Sequence, residues 1–94
     1  MASYLVRIEL HTATWPDDYN TLHKAMHEAG FDHRLLGSDG KYYRLPTAEY
    51  SIDGNYTIEN VRQSANQAAA TTRRTAAVLV VAFTQWASTG LTPD

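Results

Sequence analysis

Residues 76–83 read Ala-Ala-Val-Leu-Val-Val-Ala-Phe, the longest apolar run in the chain. It is far shorter than the roughly 20 apolar residues needed to span a bilayer. Its length and β-branched content make it a strand, here placed over residues 75–85. Such a strand is apolar on both faces, whereas one covered by helices on one side only should alternate. A bare apolar edge also invites pairing with another chain. The helices cannot cover both faces, so a second copy of the chain is the expected cover, and a homodimer is predicted. The alternatives are that small residues such as Ala77 tolerate exposure, or that Trp86 and the tail fold back.

The rest of the pattern supplies what that strand packs on. Tyr4 to His11 alternates, with Val6, Ile8 and Leu10 on one face and Leu5, Arg7, Glu9 and His11 on the other. Thr14-Trp15-Pro16-Asp17-Asp18 predicts a helix start with Thr14 as the capping hydroxyl, a proline in the first turn and acids near the positive end. Tyr19, Leu22, Met26 and Ala29 make its apolar stripe, and Gly30 ends it. Phe31 to Leu36 is a second strand, Asp39-Gly40 a hairpin turn, and Lys41 to Ile52 a third strand bent or bulged at Pro46. Thr57 caps a second helix whose stripe is Ile58, Val61, Ala65, Ala68 and Thr72, and Arg73-Arg74 suit its negative end. Residues 87–94 are expected to be a mobile polar tail.

Strand-helix-strand-strand-helix-strand order predicts a single α+β domain over residues 1–94 of the ferredoxin-like βαββαβ type. Its sheet would be four-stranded and antiparallel, in order 4-1-3-2, with both helices on one face. The 94-residue length suits one domain. The absence of cysteine removes disulfides and thiolate chemistry and fits a cytoplasmic setting. Neither a signal peptide nor a membrane association is expected. A net charge of −2 does not advertise nucleic-acid binding, so any such contact needs a local patch or a dimer groove.

Arg7, Glu9 and His11 form a row on the outer face of the first strand. A base, an acid and a cation in that arrangement can do acid-base work on a phosphodiester: His11 moves the proton and Arg7 stabilises phosphate charge. Glu9 alternatively holds a divalent ion such as Mg, although no resident cofactor is expected. The plainer alternative is a salt-bridged polar face within a dimer groove. Arg34, Lys41, Tyr43 and Arg44, with Tyr42, are the densest mix of cations and aromatics, suited to stacking bases and gripping phosphates of single-stranded RNA, or simply to strand packing. His23 and His27 have zinc-compatible spacing but no evident third ligand, and solvent-facing histidines are expected instead. An RNA-recognition motif is disfavoured, because its stacking positions read Leu5, Arg7, Glu9 and Thr47, Glu49, Ser51.

Ser3-Tyr4-Leu5-Val6-Arg7-Ile8-Glu9 resembles the opening strand of the GhoS family, the endoribonuclease antitoxins of type V toxin-antitoxin systems. The stretch Asp39-Gly40-Lys41-Tyr42-Tyr43-Arg44-Leu45-Pro46-Thr47-Ala48-Glu49-Tyr50-Ser51-Ile52 resembles the family's central segment. The resemblance implies a ferredoxin-like fold related to CRISPR adaptation ribonuclease-like proteins, with the first-strand acid, here Glu9, facing a dimer cleft. It also implies cleavage of single-stranded RNA, chiefly a toxin messenger. Glu replaces the family's Asp at this position, and the tail is shorter and less aromatic. The competing expectation is a non-catalytic ferredoxin-like dimer that binds a protein or a small ligand.

Overall fold

The computed structural model describes residues 2–94; Met1 lies outside the described residues. The order is β1 (Ala2–Leu10), α1 (Asp17–Glu28), β2 (Arg34–Leu36), β3 (Tyr42–Arg44), β4 (Glu49–Gly54), α2 (Ile58–Ala70) and β5 (Ala76–Phe83). Both helices fall where periodicity puts them. α2 starts at Thr57, whose side chain accepts from the Asn60 amide while the Asn60 side chain accepts from the Thr57 amide, a complete capping box. α1 starts differently from expectation. Pro16 holds the cap position with no side-chain cap bond, and the Asp18 carboxylate accepts from the Thr14 amide at 2.7 Å instead. Arg74 Nε donates to the same carboxylate at 2.9 Å and ties the segment between α2 and β5 to the start of α1. The amide bond from Thr14, helped by Arg74, holds the Asp18 carboxyl below its ordinary range. Gly30, at φ +95°, lets the chain leave α1 in the left-handed region.

The four-stranded sheet is not formed. The main sheet has three antiparallel strands in order β4-β1-β5, and β2 and β3 make a separate two-stranded hairpin. One isolated bridge, Asp32 to Ser51, joins the hairpin segment to β4. The cause is the bend foreseen at Pro46, which is sharper than a bulge. Pro46 has no N–H for a ladder, its carbonyl accepts from the Glu49 amide at 3.1 Å, and Ala48 adopts φ +64°. That turn cuts the expected third strand into β3 and β4. The hairpin closes through Gly40 at φ +81°, a conformation that suits glycine.

Both helices pack on one face of the sheet. Val6, Ile8 and Leu10 of β1 meet Leu22 and Met26 of α1, Val61 and Ala65 of α2, and Tyr50 of β4 in one core. Alternation along β1 leaves Arg7 and Glu9 exposed on the other face. The same alternation on β5 puts Val78 and Val80 against the core and leaves Leu79 and Val81 in solvent. Residues 92–94, expected to be mobile, pair with β3: the Arg44 amide donates to Thr92 O at 2.9 Å and the Asp94 amide to Tyr42 O at 3.0 Å. Among the described residues, no helix is long and apolar enough to cross a membrane.

Candidate functional site

The polar row survives in part. β1 ends at Leu10, so His11 sits in the turn beyond the ladder, just before Thr12 at φ +52°. The ring is nevertheless held. Its Nδ1 lies 3.1 Å from Thr75 Oγ1, its backbone N–H donates to Thr75 O at 2.8 Å, and its Nε2 stands 3.7 Å from Glu9 Oε1. The start of β5 thus orients His11 against Glu9. Their side chains are 49% and 73% exposed, so the pair adds little to stability. Arg7 stands one pleat back from Glu9, about 7 Å along the strand, and makes no ion pair among the described residues. Glu9 and His11 offer two donors. Among the described residues, no group of three or more His, Cys, Asp or Glu is placed to hold a metal ion.

Arg34, Lys41, Tyr43 and Arg44 do come together on the β2–β3 hairpin, but mostly in the company of acids. Arg34 donates to both oxygens of Asp32, at 3.0 and 3.3 Å, and its guanidinium lies 4.2 Å from the Tyr42 ring centroid. Arg44 Nη2 donates to Asp94 Oδ1 at 2.9 Å. Tyr43 donates its hydroxyl proton to Asp39, whose other oxygen accepts from the Lys41 amide. The bond to Asp39 raises the Tyr43 phenol and lowers the Asp39 carboxyl. Burial alone would raise Asp32, but the hydrogen bonds and charge of Arg34 outweigh it and hold the carboxyl low. The Lys41 ammonium is the hairpin cation without an ion pair among the described residues.

The two groups do not converge. Arg34 shares a cleft of about 520 Å³ with Ser3, Ser51, Phe83 and Trp86, at the start of β1. Glu9 and His11 are at its other end, six residues or about 20 Å away along the strand. Between them, the uncovered sheet face presents Leu5, Arg7, Leu79 and Val81 in register.

A second cluster was not legible as a site. Tyr50, 2% exposed, hydrogen-bonds through its hydroxyl to His23 Nδ1. His23 is therefore half-buried rather than solvent-facing, while His27 is exposed as expected. Burial, with a smaller contribution from Tyr19, pushes the Tyr50 phenol far up, so it keeps its proton and donates. Burial, then the neighbouring His33, holds His23 below the ordinary imidazole value, so its Nδ1 accepts. This pair borders a cleft of about 400 Å³ that also takes in Phe31, His33, Arg44 and Glu49. No spacing rule joins residue 23 to residue 50. The only sequence trace was the alternation that turns Tyr50 inward.

No protein-family model matches the chain, and no curated protein matches it.

Proposed function

We propose that this protein is an endoribonuclease of the antitoxin type, acting as a homodimer on single-stranded RNA such as a toxin messenger in the cytoplasm. The observation that carries the proposal is the His11 ring held between Thr75 and Glu9 on an open sheet face. Thr75 at Nδ1 fixes the ring and leaves Nε2 to take a proton, and Glu9 beside Nε2 steadies the imidazolium that forms. RNA carries its own nucleophile, so the chain has only to move protons and stabilise charge. His11 Nε2 takes the 2′-hydroxyl proton, O2′ bonds to the adjacent phosphorus, and the P–O5′ bond breaks. O5′ leaves with a proton from water, and the products are a 2′,3′-cyclic phosphate and a 5′-hydroxyl. Arg7 balances the charge that develops on the phosphoryl oxygens. A strand laid along β1 from the Arg34 cleft would pass over Arg7 on its way to His11.

The test is cleavage of an end-labelled single-stranded RNA by the purified chain, with chelator present. Cleavage should yield cyclic-phosphate ends and fall by about 10²–10⁴-fold in His11→Ala, with a smaller loss in Glu9→Gln. A substrate with deoxyribose at the cut position should resist. Undiminished cleavage by His11→Ala, or cutting of the deoxy substrate, would overturn the assignment.

A further inference from the structure

The cleft beside His23 has the chemistry of a binding site that the cleavage proposal does not use. Its floor is apolar: Phe31 is 2% exposed and belongs to the packed core, and Leu45 beside it is 8% exposed. Its walls are polar. With Nδ1 taken by the Tyr50 hydroxyl, His23 keeps its other ring nitrogen as a donor. Glu49 supplies an acceptor whose carboxylate makes no ion pair among the described residues. Arg44 and His33 stand at the rim. A cavity of about 400 Å³ is within the range that holds small organic ligands.

The rim shows which charge the site takes. The Asp94 side-chain carboxylate lies among three cationic or imidazole groups: 2.9 Å from Arg44 Nη2, 3.7 Å from His33 Nε2 and 3.8 Å from Arg34 Nε. Asp94 reaches them because residues 92–94 pair with β3. Asp94 is outside the lining of the cleft, but its carboxylate engages Arg44 and His33, the two rim groups that an anionic group of a ligand would use. We infer that this cleft binds a heteroaromatic ring carrying one anionic group, with the ring on Phe31 and Leu45, its polar edge between His23 and Glu49, and the anion replacing Asp94 on Arg44 and His33. A mononucleotide has this chemistry, either free or as the end of a strand. The inference stands apart from cleavage, since none of these residues lies in the Arg7–Glu9–His11 row.

The experiment is a titration of the chain, labelled for amide NMR, with adenosine 5′-monophosphate, uridine 5′-monophosphate and a trinucleotide. Shifts should centre on His33, Arg44 and Glu49. Arg44→Gln should weaken binding about tenfold or more, the loss of one charge-assisted hydrogen bond. Asp94→Asn removes the competing carboxylate and should tighten binding by a few fold. Its folded state can be checked by circular dichroism, and as a gain of affinity it cannot arise from misfolding. Equal affinity for mononucleotide and trinucleotide identifies a free nucleotide as the ligand; tighter trinucleotide binding identifies a strand end. No binding by any probe, shifts confined to other surfaces, or unchanged affinity in Asp94→Asn overturns the inference.

Discussion

Replacing Leu79 with Asp separates a monomer from the proposed dimer, because the two differ in what surrounds that side chain. In the single chain Leu79 is 61% exposed, on the outer face of the edge strand β5. A substitution there away from other contacts should change the stability of an isolated chain by no more than about 0.5 kcal/mol. In a dimer that covers β5, the same side chain is buried, and burial of a leucine is worth about 1.5–3 kcal/mol. A two-fold interface uses each residue twice, so the loss doubles to about 3–6 kcal/mol. At about 1.4 kcal/mol per tenfold, the dimer should dissociate a hundredfold to ten-thousandfold more readily. Sedimentation velocity over a dilution series should show a dimer for the parent chain and a monomer for Leu79→Asp, with matching circular dichroism spectra. Identical sedimentation of the two, whether monomeric or dimeric, would refute the reasoning from the uncovered face.

Three further predictions concern the fold around the clefts. Tyr50→Phe removes the donor to His23 and leaves a half-buried acceptor unmatched, which should cost about 1–3 kcal/mol in chemical denaturation; a change near zero would mean that water replaces the hydroxyl. His23 is held below the ordinary imidazole value, so the unfolded chain binds more protons in acid. Its contribution to stability is therefore complete above about pH 6.5 and is lost as the pH falls through that value toward the folded one. The melting temperature should drop between about pH 7.5 and pH 5 and drop less in His23→Gln; parallel profiles would contradict it. Thr57→Ala breaks the capping box of α2 and should destabilise by about 1 kcal/mol, with faster hydrogen exchange in the first turn of that helix; unchanged exchange there would contradict it.

The parts of the fold that rest on local periodicity were legible in the sequence. Val6, Ile8 and Leu10 alternate with Arg7 and Glu9 as two-residue period requires, and Leu22 and Met26 are fully buried on α1 as helical spacing requires. The stripe of α1 fades at Ala29, which is exposed, because Gly30 already turns the chain away. Sheet membership was not legible, since it depends on how far a strand can stay paired. Pro46 signalled a bend, but nothing local said that Ala48 would enter the left-handed region and cut the strand in two. The candidate site divides in the same way. Glu9 and His11 share a face by strand spacing, and the structure keeps them together through Thr75, 64 residues further on, a partner no spacing could supply. The hairpin cations were found by composition. The pairing of Arg44 with Asp94 was missed because that acid arrives from 50 residues further along the chain, and the pairing of Arg34 with Asp32 because spacing alone does not show which way the two side chains turn.

His11 and Glu9 are proposed to cleave RNA on a sheet face that a second copy of the chain helps to enclose. The most direct measurement is the single-turnover cleavage rate of one end-labelled RNA over a range of protein concentrations, for the parent chain and for Leu79→Asp. The parent rate should rise with dimer occupancy, and the monomeric variant should be inactive although His11 and Glu9 are untouched. Equal rates for the monomeric and parent chains, or no cleavage by the parent at any concentration, would contradict it.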